Sequence, residues 1–377
     1  MNIRRFYLDR LDGMLAAGKV LALYGPRRAG KTTLLKEFLK SWRGGRCFFG
    51  TGEDRQLGEI LGSGDVELIR GAFSGYELAV IDEAQALKNV GRGLKLLVDT
   101  LPEIKVIASG SSSFQLAGEL GEPLTGRKRT ATLYPVAALE YASEFGNMSL
   151  RQKLNEWMIF GGYPEVLTTE NFRDKAEVLT ELCNSYLFKD ILAFERVRNA
   201  DKLHRLLSLL VFQVGKEVSL TELGTALGLN RATVERYLDL LEKTFVIFRV
   251  PGFSRNLRSE VIRTSRYYFY DNGVMNAITN NFNPLELRGD SGALWENLLV
   301  AERRKKQCYH KIFANNYFWR TYERQEVDWV EERDGNLFGY EFKWGDKPVK
   351  TPSLWRSAYP SAHFEVVDRK NFADFIM

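Results

Sequence analysis

"KVLALYGPRRAGKTTLLKEFLKSW", Lys19 to Trp42, decides the fold of the amino-terminal part of the chain. An apolar run reads as a short strand, a loop punctuated by Gly25 and Gly30 follows, and Leu34, Leu35, Phe38, Leu39 and Trp42 then recur at helical spacing. From Gly25 to Thr32 the loop fits G-x-x-x-x-G-K-T. Glycines let the backbone wrap a phosphate closely, and the loop N–H groups with the helix N-terminus supply positive potential. Lys31 then reaches the β- and γ-phosphates, and the Thr32 hydroxyl can ligate Mg²⁺. The expected nucleotide-binding residues are Gly25, Pro26, Arg28, Ala29, Gly30, Lys31, Thr32 and Thr33.

"YELAVIDEAQ" supplies the other half of such a site. Its apolar strand, Leu78 to Ile81, delivers Asp82 and Glu83 at its end. Asp82 would hold Mg²⁺ through water, and Glu83 is placed to polarise an attacking water, which hydrolysis of ATP needs beyond binding it. A third apolar strand, "KVIASGSSSF", ends in small hydroxyl residues. Ser109 or Ser111 would sense the γ-phosphate from that neighbouring strand, although glycine and serine also suit an ordinary tight turn.

At 377 residues the chain is expected to form two to four units. With 45% apolar and 27% charged residues it falls among soluble globular proteins, and no apolar run approaches the roughly 20 residues that span a bilayer. The start has scattered charges and no apolar block of a secretory signal, so a cytoplasmic location is expected, without a membrane partner. Cys47, Cys183 and Cys308 lie too far apart for a zinc knuckle or redox pair and read as structural thiols. The net charge of +5 permits an anionic partner without demanding one. The clusters "AERRKKQCYHK" (301 to 311) and "RNLRSEVIRTSR" (255 to 266) read either as places to hold nucleic acid through its phosphates or as solvated helix faces.

Taken together, "GPRRAGKTTLL", "VIDEAQ", "SGSSS", "GRKRTATLYPVAALEY", "GGYPEVL" and "YYFYDNGV" resemble the AAA-type ATPases of bacteria and archaea that carry a C-terminal domain of unassigned function. The resemblance covers nearly the whole chain. It implies ATP and Mg²⁺ as ligands and a homo-oligomer, of which a hexameric ring is one form. In the wider AAA class an arginine of one subunit completes its neighbour's site; Arg127 in "TGRKR" is the candidate here, with Arg129 in reserve. A basic loop before the strand Thr130 to Tyr134 is the plainer alternative.

"AEVLTELCNSYLFKDILAFERV" repeats apolar residues at three and four and reads as a helical lid or linker. "SLTELGTALGLNRATVERYLDLLEK" then gives a short helix, a turn at Gly228 and a longer helix capped by Asn230, with Val234, Tyr237, Leu238 and Leu241 on its buried face. With "TFVIFRVPGF" as strand and turn, a winged helix is expected, its second helix suited to the major groove of DNA. Glu235, Asp239 and Glu242 share the exposed side with Arg231 and Arg236, so contact with DNA and domain packing both remain open.

The hairpin "ERQEVDWVEERDGNLFGYEFKWG" turns at Asp334-Gly335. Counting outward sets Asp328 opposite Glu341 and Glu326 opposite Lys343, all on one face, with Val327, Trp329, Phe342 and Trp344 on the other. Facing carboxylates repel unless a cation lies between them, and a divalent metal would resolve the conflict. An acid followed by E-x-K on the next strand resembles the PD-(D/E)xK nuclease core. That resemblance implies Asp328 and Glu341 as ligands of Mg²⁺ or Mn²⁺, Lys343 as the catalytic base-side cation, and Glu296 on the preceding helix as a further ligand. An amphipathic edge hairpin with Glu326 paired to Lys343 would give the same letters.

The expected class is therefore a multidomain α/β chain: a P-loop AAA-type ATPase over 1–145, a helical linker over 146–204, a winged helix over 205–283 and a nuclease-like α/β domain over 284–377. The expected function is ATP hydrolysis coupled to a metal-dependent nuclease-like domain acting on DNA. The competing reading is a regulator whose C-terminal domain only binds a partner.

Overall fold

The computed structural model describes residues 3–110, 124–187, 200–254, 264–321, 323–345 and 350–377. Ser111, Asp346 and most of the basic stretch 255–266 lie outside them. The chain forms two compact units, one of Asn2–Val136 with Lys243–Phe245, the other of Ala137–Glu242 with Val246–Met377. The linker, helix-turn-helix and carboxyl-terminal segments that the sequence separates all belong to the second unit.

The first unit is built on a parallel sheet of β1 (Val20–Tyr24), β2 (Cys47–Thr51), β3 (Leu78–Asp82), β4 (Lys105–Gly110) and β5 (Lys128–Thr132), in the order β2-β3-β4-β1-β5. Every residue of β1 and β3 is buried, which explains why they read as unbroken apolar runs rather than alternating ones. The helix Lys31–Ser41 buries Leu34, Leu35 and Phe38. The parallel order brings the ends of β1, β3 and β4 to one edge, where open α/β sheets bind ligands.

In the second unit, Ser219 accepts from the Glu222 amide at the start of the helix Leu220–Leu227, and Gly228 ends it in the left-handed region at φ 58°. Asn230 caps the helix Arg231–Lys243 by accepting from the Thr233 amide at 2.8 Å. An antiparallel pair follows, β6 (Ile247–Pro251) with β7 (Ser265–Phe269). The last sheet comprises β8 (Asn315–Arg320), β9 (Glu326–Arg333), β10 (Asn336–Phe342) and β11 (His363–Val367), ordered β11-β10-β9-β8 with only β10 and β11 parallel. Asp334 and Gly335 both have positive φ, 51° and 74°, as a tight primed turn requires. Their register runs from Asn336↔Arg333 to Tyr340↔Trp329.

A buried polar clasp explains two segments without chemistry of their own. Asp271 Oδ2 accepts from the Gly162 amide at 2.7 Å, and Oδ1 accepts from Gly273 and Val274. Gly161 lies so close that a Cβ would come within 2.0 Å of Asp271 Oδ1. Asn272 Nδ2 donates to the carbonyls of Met158 and Leu294, and Asn276 Nδ2 to those of Met158 and Ile159. Asn297 bonds both the amide and the carbonyl of Phe269 and donates to Asn272 Oδ1. "GGYP" and "YDNGV" thus interlock by satisfying backbone groups that are shut away from water. Asp271→Ala orphans three buried amides, at about 1–3 kcal/mol each. Chemical denaturation is expected to register a loss of about 3 kcal/mol or more, and a loss under about 1 kcal/mol would remove the clasp from this account.

Candidate functional site

The first site gathers at the carboxyl edge of the parallel sheet. Gly25 stands where only glycine fits, because a Cβ would meet the Leu133 carbonyl oxygen at 2.0 Å. Gly30, at φ 94°, turns the loop into the helix Lys31–Ser41. Lys31 is buried, its Nζ donating to the carbonyls of Gly25 at 2.9 Å and Pro26 at 2.8 Å. Thr32 Oγ1 donates to Asp82 Oδ2 at 2.6 Å, joining the loop to the end of β3. Ser109, on β4 between them, donates to Asp82 Oδ1 and accepts from the Glu83 amide at 3.2 Å. Its hydroxyl therefore fixes the Asp82 carboxylate and the Glu83 backbone. Glu83 is half-buried and left-handed at φ 49°, a strained backbone for a non-glycine residue, with its carboxylate accepting from Gln85 Nε2.

Pro26 and Ala29 are buried in the loop, while Arg28 and Thr33 are exposed. Arg5 was not legible as part of this site: its guanidinium donates to the Ala29 carbonyl and, at 2.6 Å, to that of Tyr134. Nothing in the spacing of "NIRRFY" announces that contact. Arg127 lies at the other edge of the sheet, beside the start of β1, paired with Asp99 at 2.6 Å; Arg129 donates to the Met14 carbonyl. Thr32, Asp82 and the loop fit Mg²⁺ and a polyphosphate, since a hydroxyl and a carboxylate already meet there beside a buried ammonium.

The second site departs from the sequence reading in three ways. First, β8 and β9 slip by one residue between Tyr317↔Val330 and Trp319↔Val327, so Asp328 and Trp329 share the place opposite Phe318. This β-bulge breaks the period of two: Val327 packs with Val330, Leu337, Trp319 and Trp355 instead of sharing a face with Trp329. Asp328 takes over at the end of the β9–β10 ladder, its Oδ2 accepting from the Phe342 amide at 2.9 Å.

Second, the cation among these acids is a protein side chain. Arg266, on β7 and only 2% exposed, lies 3.5 Å from Glu296, 3.0 Å from Glu326 and 3.6 Å from Asp328. Tyr268 donates to Glu296 Oε1 at 2.7 Å. Glu326 thus pairs with Arg266, while Lys343 pairs with Glu341 Oε1 at 2.7 Å. Glu341 Oε2 is buried without a partner, a feature that favours an added cation. Among the described residues no three acidic, histidine or cysteine side chains are arranged to hold a metal. With Arg266 and Lys343 already on the carboxylates, a divalent ion does not fit this arrangement.

Third, the basic helix Ser291–His310 spends Arg303 and Lys305 on buried acids and rests Arg304 and Lys306 on its own unit. Arg303 forks onto Glu331 at 2.6 and 2.8 Å and donates to the Phe375 carbonyl. Lys305 is buried against Glu302 at 2.7 Å, Lys306 donates to the carbonyls of Asp374 and Phe375, and Arg304 lies over the Phe248 ring. Arg303 and Lys305 are therefore not available to a nucleic-acid backbone.

Burial first, and Asp328 second, push Glu296 up to about 8 and Glu341 up to about 7; burial also raises Asp328. The centre balances its charge by Arg266 and by holding protons on acids.

Comparisons with known proteins agree with the first site. Residues 17–142 match the AAA domain family, 151–285 a Domain of unknown function (DUF8612), and 291–362 a Domain of unknown function (DUF4143). An uncharacterized protein of Mycobacterium tuberculosis is 28% identical over 94% of this chain and 76% of its own length. One of Methanocaldococcus jannaschii is 24% identical over 84% of this chain and 73% of its own. Among solved structures, the Aeropyrum pernix ORC2 protein in its ADP form aligns with a TM-score of 0.38 and 13% identity, covering 74% of this chain and 94% of that one. Residues 17–142 thus combine a parallel α/β fold with similarity to the AAA domain family.

Two outcomes follow from the acidic centre. Arg266→Met leaves buried carboxylates uncompensated and is expected to cost about 3–5 kcal/mol in urea unfolding; a change below about 1 kcal/mol contradicts its role. Glu296 holds a proton in the fold that the unfolded chain releases above its ordinary value. Stability present below about pH 4.5 is thus lost as pH rises toward about 8, and Glu296→Gln is expected to flatten that decline. An unchanged slope in urea melts across this range would remove Glu296 as its source.

Proposed function

We propose that this chain is an ATP-hydrolysing switch that acts with nucleic acid, DNA in the first instance, and whose carboxyl-terminal domain recognises a partner without cutting it. The observation that carries the ATPase reading is the convergence of Lys31, Thr32, Asp82 and Glu83 at one sheet edge. Lys31 would leave its two carbonyls to meet the β- and γ-phosphates, and Thr32 and Asp82 would hold Mg²⁺, which would supply positive charge beside the transferring phosphoryl group. Glu83 orients the attacking water and takes its proton. Ser109 keeps Asp82 and Glu83 in register for these separate tasks.

Winged-helix identity is supported by the capped helix pair followed by β6 and β7, and DNA contact by the exposed Arg231 and Arg236 on the second helix. Against base readout stand the exposed Glu235 and Asp239 on that helix. Arg127 is proposed to act in a neighbouring copy, consistent with its distance from its own loop across β1, and this requires at least a dimer for turnover. The nuclease reading retains one supporting feature, the unpartnered Glu341 Oε2 beside Asp328. Arg266 weighs more heavily, because a guanidinium already answers the charge that a metal would.

Lys31→Ala is expected to abolish nucleotide binding, whereas Glu83→Gln retains ATP and lowers turnover by about 100-fold or more. Equal turnover by wild type and Glu83→Gln removes Glu83 from the mechanism. In parallel, single- and double-stranded DNA and RNA are expected to remain intact with Mg²⁺ or Mn²⁺, with or without ATP. Cutting that Asp328→Asn and Lys343→Ala both suppress would restore the nuclease reading. Arg127→Ala is expected to slow turnover without changing ATP affinity; unchanged turnover excludes the finger.

A further inference from the structure

Arg303 and Lys305 of the 301–311 cluster are spent on buried acids, and a second group of cations lies elsewhere on the second unit. One cavity of about 350 Å³ gathers several cations. It lies between Arg151 on one side and Trp344, Asp368, Arg369, Lys370 and Phe372 on the other. Arg151, Arg369 and Lys370 line it together with one carboxylate, Asp368.

The guanidiniums are held in place before any ligand arrives. Arg151 donates to the Arg369 carbonyl at 3.0 Å and to the Lys370 carbonyl at 2.8 Å, and lies over the Phe372 ring at 5.2 Å. Carbonyls accept hydrogen bonds without neutralising charge, so Arg151 stays fully cationic and keeps other donors for a ligand. Arg369 is stacked over the Trp344 ring at 5.1 Å. Asp368 is turned to its own loop, its Oδ1 accepting from the amides of Lys370 and Asn371. Among the described residues neither Arg151 nor Lys370 has an ion-pair partner.

A backbone-anchored guanidinium, a second one stacked on an indole and an ammonium beside them are donors that recognise a phosphate group, whose oxygens match the guanidinium fork. We infer that this cavity binds a phosphate group through Arg151, Arg369 and Lys370. The Trp344 end adjoins the strand β10, so a phosphate there would lie on the second unit's own surface, independent of the nucleotide loop. The inference rests on the nucleic-acid reading only for the source of that phosphate: a nucleic-acid backbone is favoured, and free polyphosphate is the alternative source.

The test uses the full chain with Lys31→Ala, which disables the nucleotide loop, and compares it with the same chain carrying Arg369→Gln or Lys370→Gln. Tripolyphosphate is titrated by calorimetry, and a labelled oligonucleotide of about 20 residues by anisotropy across about 50–200 mM salt. Each substitution is expected to weaken tripolyphosphate about fivefold or more, and to lower the salt slope for the oligonucleotide by about 0.7–0.9 for each phosphate that is no longer neutralised. The same substitutions in the chain with Lys31 intact are expected to leave ATP turnover within about twofold, which confirms folding. If tripolyphosphate responds and no oligonucleotide binds, the cavity stands and the nucleic-acid reading falls. If the oligonucleotide binds identically to all variants and tripolyphosphate is indifferent to them, or neither probe binds, the cavity is overturned.

Discussion

A buried guanidinium cannot stand alone, and Arg266 finds its counter-charge on elements far apart in the chain: Glu296 on a helix, Glu326 and Asp328 on β9. Losing hydration costs several kcal/mol per ion, so the arrangement survives only if these elements stay assembled around it. β7, the helix Ser291–His310 and the β9–β10 hairpin are thereby tied into one body. The Asp271 and Asn297 clasp ties β7 and the same helix to the "GGYP" turn from the other side. Segments that look like separate modules in sequence thus form one unit because their buried polar groups answer one another.

In the first unit the governing constraint is different. The parallel sheet delivers Gly25, Asp82 and Ser109 at neighbouring strand ends, and hydrogen bonds join Asp82 to Thr32 and Ser109 there. The ammonium of Lys31 rests on two loop carbonyls, whose places phosphate oxygens would take in the proposed reading. Phosphoryl transfer there would rest on polar groups already positioned at one sheet edge.

The division between what could and could not be read from sequence follows from these distances. The loop, the strand-end acids and the helix caps were legible because each is local: Gly30 and Lys31, Asp82 after its apolar run, Asn230 before its helix. The Asp334-Gly335 turn likewise set the hairpin register by counting. Counting failed at Val327, because the bulge arises from pairing with β8, which the hairpin letters do not contain. Arg266 was hidden because its acids lie 30 and 60 residues away, and a run of arginines reads as surface when its partners are unseen. For the same reason Arg303 and Lys305 resembled a DNA-facing stripe while serving Glu331 and Glu302.

The central claim is that a protein cation, and not a metal, closes the acidic centre. It is tested most directly by titrating Mn²⁺ into the nucleotide-free Lys31→Ala chain by calorimetry, alongside the same chain carrying Asp328→Asn. The account predicts no binding below about 1 mM that depends on Asp328, so that the two titrations superimpose. A one-site isotherm in the micromolar range that vanishes with Asp328→Asn would contradict it, and would mean that Arg266 yields its place to the metal.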